Sequence, residues 1–121
     1  MKKFESNSEL VEKIFDELRE ILKMTIFIRE KVLNCEFDVL PDLLARREEK
    51  IKKVEEFLRE LEKSKIEIPN FSQIFKEIQV MRDEILKIDA ENADNIRERM
   101  KEISEELQEL IRRKKLLNYL R

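Results

Sequence analysis

Apolar side chains recur along this chain in steps of three and four residues, and the rhythm is interrupted at two places only. In the first stretch Val11, Ile14, Leu18, Ile21, Thr25, Ile28, Val32 and Cys35 form a seam, the spacing that brings side chains to one face of an α-helix. Phe15, Leu22, Met24, Ile26, Phe27 and Leu33 widen it, so this helix should touch more than one neighbour. Ser6 with Glu9 reads as a capping box, which places the first helix at about 7–35. In the second stretch Leu40, Leu43, Leu44, Ile51, Val54, Phe57, Leu58 and Leu61 line one face, interrupted by Arg47. Asp38 is expected to cap it, with Pro41 tolerated in its first turn, for a helix over about 39–63.

The segment Ser64–Asn70 breaks the period, and Pro69 forces an extended residue before it. From Phe71 the pattern resumes through Ile74, Ile78, Met81, Ile85, Ile88, Ile96, Met100, Ile103, Leu107, Leu110 and Leu117, with Asn92 polar in the seam and no Gly or Pro to stop it. Read literally, the third helix covers about 71–119 and is ~75 Å long, against ~40 Å for each of the first two. Two short helices cannot cover one long one. The expected architecture for residues 1–121 is one all-α domain, an antiparallel bundle of three helices. Its long third helix either runs straight or breaks into a fourth, C-terminal helix. In an up-down-up bundle the uncovered part begins near Met100 and projects past the connection at Glu36. Met100, Ile103, Leu107, Leu110, Ile111, Leu116, Leu117 and Leu120 would then lie in water unless a partner, a second copy or a folded-back segment covers them.

Composition sharpens this picture. The 121 residues hold no Gly, no His and two Pro, while 45% are charged. Without Gly, left-handed backbone is disfavoured, and hairpins and phosphate loops with it. Without His, the commonest general acid/base and metal ligand are missing. No enzyme activity, cofactor or metal is therefore expected. Net charge is -2, which gives no global field for nucleic acid or anionic membrane. No apolar run reaches the ~20 residues that span a bilayer, and the first residues turn polar too soon for a signal peptide. A cytoplasmic location is expected, and Cys35 as the single cysteine points to a reducing compartment.

The remaining polar features have plain structural readings. Adjacent carboxylates such as Glu48/Glu49 and Glu105/Glu106 diverge by about 100° on a helix and share no site. The run Arg112-Arg113-Lys114-Lys115 is the one candidate for phosphate contact, but Glu109 sits at helical spacing to pair with it. Arg47 is expected to snorkel to a neighbouring Glu, Asn92 to set register, and Cys35 to be a small buried hydrophobe.

Two segments resemble the flagellar export chaperones of the FliT kind. One runs Cys35-Glu36-Phe37-Asp38-Val39-Leu40-Pro41-Asp42-Leu43-Leu44 and on to Ile51; the other is Ile88-Asp89-Ala90-Glu91-Asn92 leading through Ile96, Arg99, Ile103, Leu107 and Leu110 to Arg113, Lys115, Leu117 and Tyr119. The sister chaperones of the FlgN kind share the Asn-containing seam. The resemblance implies a cytoplasmic protein that binds a flagellar secretion substrate, the filament-cap protein first and hook-associated proteins next, and delivers it to the type III export gate. It implies that Met100, Ile103, Leu107, Leu110, Ile111, Leu117 and Tyr119 contact that partner; from charge and hydropathy, neither nucleic-acid binding nor membrane insertion is expected. The rival expectation is a structural adaptor that forms a homodimer through its long third helix.

Overall fold

A computed structural model of the chain describes residues 6–120. Three α-helices follow one another: α1, Asn7–Leu33; α2, Leu40–Lys63; and α3, Phe71–Tyr119, with no strand among the described residues. The fold is all-α, a three-helix bundle with a long third helix. That helix is unbroken, so the alternative of a separate fourth helix is not realised.

Each boundary has a local cause. The Ser6 hydroxyl accepts the Glu9 N–H at 3.1 Å and starts α1. α1 ends in two reversed bonds, Cys35 N–H to Val32 C=O at 3.1 Å and Glu36 N–H to Lys31 C=O at 2.9 Å, the Schellman pattern that satisfies orphan carbonyls. The pattern needs a left-handed residue, and Cys35 supplies it at φ 57. Cys35 is exposed, which corrects the expectation of a buried hydrophobe: the helix stops before the seam reaches it. Lys31 Nζ donates to Glu36 at 2.7 Å across the same turn, where an apolar contact usually sits.

Asp38 does not cap α2. A 3-10 turn over Phe37–Val39 leads into the helix, and Leu40 N–H donates to Phe37 C=O, so the backbone itself meets an orphan donor. Between α2 and α3 a second 3-10 turn, Lys65–Glu67, precedes extended Ile68 and Pro69. Ile68 is buried against the base of the core. Asn70 takes a left-handed φ of 61 just before α3.

α1 is the central helix, with α2 and α3 both packed on it and approaching each other less closely. The larger cluster joins Leu10, Ile14, Leu18 and Ile21 of α1 to Val54, Phe57 and Leu61 of α2 and to Ile78 and Ile85 of α3. Leu10 is buried where the spacing pointed to Val11, which is partly buried beside it. A smaller cluster, Ile28, Val32 and Leu40 with Phe37, Leu43 and Ile96 around it, closes the other end. Leu44 is exposed, not part of the core.

Between the clusters lies a polar layer. Buried Thr25 bonds back to Ile21 C=O at 2.7 Å, and Asn92 Nδ2 donates to Thr25 C=O at 3.3 Å. Beside them Arg47 donates to both Asp89 oxygens, at 2.6 and 2.5 Å, with the two side chains 12% and 28% exposed. The partner of Arg47 is thus an Asp on α3, not a neighbouring Glu. Sliding α3 by one turn against α1 and α2 would leave the Asn92 amide and the Arg47 guanidinium facing apolar side chains. The layer fixes register, and register decides how much of α3 is left over.

Candidate partner-binding surface

The last residues of α3 that meet the bundle are Asn92, which is buried, and Ile96, which joins the smaller cluster. From Met100 to Leu120 every residue except half-buried Glu109 is exposed. A helix rises about 1.5 Å per residue, so this free part is ~30 Å long. It leaves the bundle beside Phe37, Leu40 and Leu43, as helix lengths require.

Six apolar residues of this overhang share a face. At about 100° per residue, Met100, Leu107, Leu110, Ile111 and Leu117 all fall within ~80° of Ile103, and Ile103 stands in line with core residue Ile85 eighteen residues earlier. The stripe is therefore the bundle-facing side of α3 continued into solvent. Exposure of the six runs from 48% at Ile111 to 67% at Leu117, the value of a lone helix with nothing against it. Tyr119 is 87% exposed and lies about 160° from Ile103, nearly opposite the stripe. Leu116 also falls on that far side. The structure brings together six of the seven residues read from sequence, and Tyr119 stands apart.

Several polar side chains flanking the stripe are paired along the helix. Arg112 donates to Glu109 at 2.7 Å, and Arg113 lies 3.3 Å from the same carboxylate. The Arg112 hydrogen bond, aided by both positive charges, holds the Glu109 carboxyl below its ordinary value. Half of the basic run is thus engaged internally, as the spacing indicated. Among the described residues no group of three or more His, Cys, Asp or Glu is placed to hold a metal ion, and no helix is long and apolar enough to cross a membrane.

One apolar recess was not legible from the sequence. Where α2 and α3 stand apart, a cleft of about 220 Å³ opens, floored by Leu18 and Ile21 of α1 and walled by Ile51, Val54 and Leu58 on one side and Ile78, Ile85 and Leu86 on the other. The Arg47–Asp89 pair closes the end toward the overhang. Periodicity placed Ile51 and Leu58 in the core without distinguishing core from the wall of a groove. Comparison with family models, with curated proteins and with solved structures gives no match.

Proposed function

We propose that this protein is a binding module, a cytoplasmic export chaperone that covers an amphipathic helix of a flagellar secretion substrate with the stripe Met100, Ile103, Leu107, Leu110, Ile111 and Leu117. The observation that carries the proposal is a ~25 Å apolar face on an unbroken helix that extends beyond its own core. A stripe of that length takes i, i+3, i+4, i+7 anchors from a partner helix. The substrate's assembly-competent helix would otherwise polymerise early; covered, it travels to the type III export machinery and is released there. The filament-cap protein is the first candidate through the resemblance to the FliT kind, and hook-associated proteins follow through the FlgN kind. The role needs neither catalytic groups nor a cofactor.

Calorimetry with the C-terminal segment of the cap protein tests it. Binding with a negative heat-capacity change is expected from apolar burial. No binding of cap, hook-associated or filament segments at high micromolar concentration, with the bundle folded, overturns the export reading.

A further inference from the structure

The stripe has the spacing of a coiled-coil seam. Met100, Ile103, Leu107, Leu110, Lys114 and Leu117 follow one another in alternating steps of three and four, the a/d pattern of a two-stranded coil over about three heptads. We propose that a second copy of this chain occupies it, as an antiparallel coil of two α3 overhangs with one bundle at each end. The proposal stands on this geometry and not on the export reading.

Orientation follows from what already covers α3. The stripe continues the face that packs on α1 and α2, so a second copy running parallel would bring its own bundle into the space those helices fill. Running antiparallel, the second bundle lies at the far end and nothing collides.

Register follows from the side chains. Opposing Met100 to Leu117 of the second copy sets Leu107 against Leu110 and Ile103 against Lys114, and each pair recurs by the two-fold axis. Every layer is apolar except the one containing Lys114, whose methylene stem lies along Ile103 while its ammonium reaches the acidic stretch Glu102–Glu109. The same register ends the second helix, at Leu120, beside Arg97, where the α1–α2 turn borders α3. One alignment thus matches the apolar layers and stops the second helix at the edge of the bundle.

Charge selects the same arrangement. The overhang is acidic in its first half, with Glu102, Glu105, Glu106 and Glu109, and basic in its second, with Arg112, Arg113, Lys114 and Lys115. Antiparallel pairing sets acidic against basic twice, and places Glu106 across the seam from Arg113 of the second copy at facing g positions. Parallel pairing would stack Lys114 on Lys114 inside the seam. Six side chains with roughly 100 Å² of exposed apolar surface each give about 1,200 Å² buried in the pair, the lower bound of specific interfaces. Because the bundle already nucleates the helix, coil formation does not bear the usual nucleation cost. A dissociation constant in the micromolar range is expected.

Sedimentation equilibrium of the full chain at ~100 μM should give the dimer mass, and Leu107→Asp the monomer mass with helicity of the bundle retained. Glu106→Arg and Arg113→Glu should each weaken the dimer about tenfold, and the two together should recover it. Spin labels on Tyr119→Cys, in a Cys35→Ser background, project from the outer face of the coil and should lie ~35 Å apart or more, against ~20–25 Å in a parallel coil. A wild-type monomer at 100 μM, a short label distance, or no recovery in the double charge swap overturns the proposal.

Discussion

Arg47 and Asp89 make the sharpest stability test of the bundle, because their pair ties α2 directly to α3 through the polar layer. Arg47→Met keeps the aliphatic stem and removes the charge, leaving the Asp89 carboxylate about three-quarters buried without its two charge-assisted bonds. Breaking a fully buried pair costs about 3–5 kcal/mol. Asp89 keeps some access to water, so the lower figure of about 2–3 kcal/mol applies, a fall of roughly 6–12 °C in Tm for a chain of this size. Asp89→Leu should cost a similar amount, since it strands a guanidinium whose Nε already lacks a partner. The double variant, with both charges gone, should return to within about 1 kcal/mol of the wild type, a coupling of about 2 kcal/mol or more. The ion pairs that tie α1 to its neighbours, Lys50–Glu17 at 3.4 Å and Arg29–Glu91 at 3.9 Å, are longer and their cations more exposed than Arg47, and they should contribute under about 1 kcal/mol each. Urea unfolding must be followed by helical circular dichroism, because Tyr119 is the single Tyr, there is no Trp, and Tyr119 sits on the overhang outside the cooperative core. A cost below about 0.5 kcal/mol for Arg47→Met would show that water screens the pair as it does a surface ion pair, and that apolar packing alone sets the register of α2 on α3.

Four further outcomes follow from the same structure. Asn92 Oδ1 is buried with no hydrogen-bond partner, so Asn92→Leu should raise stability by about 1–2 kcal/mol in urea unfolding; a loss would mean that the Asn92 bond to Thr25 outweighs the stranded oxygen. Leu107→Asp with Leu110→Asp should leave the unfolding free energy of the bundle within about 0.5 kcal/mol, and global unfolding would place the overhang in the core. The wild type should show no anisotropy change with DNA or RNA near 150 mM salt, and any such binding would be expected to fall steeply as salt rises. Glu109 has a folded pKa below its unfolded value, so its contribution to the overhang is complete above the ordinary carboxylate range and is lost as pH falls through the lowered one; amide exchange over 105–115 should quicken there, while exchange at Ile14 and Leu61 does not.

The bundle was legible because its rules are local: three-and-four spacing names the helices, and breaker residues name the gaps. Its corners were not. With no glycine the chain was expected to avoid left-handed backbone, yet Cys35 and Asn70 both adopt it. The strain at Cys35 is offset by the two reversed bonds and by the Lys31–Glu36 pair, none of which periodicity records. That turn also removes Cys35 from a seam its spacing fitted, and the 3-10 turn after it makes the Asp38 cap unnecessary. Arg47 found Asp89 because α2 and α3 share a level, a tertiary fact that no single helix contains.

The overhang was legible for a different reason, since it is a matter of length. Residues 97–109 carry Arg, Glu, Met, Lys, Ile, Ser, Leu and Gln, most of them strong helix formers, so the helix persists without neighbours to stabilise it. One Gly or Pro there would have freed the tail to fold back over its own bundle. Its absence keeps the stripe straight, in line with Ile85, and ordered before anything binds. A partner helix therefore meets a surface whose ordering entropy has already been lost on folding, which favours binding by whichever helix can match its apolar layers and place acid against base.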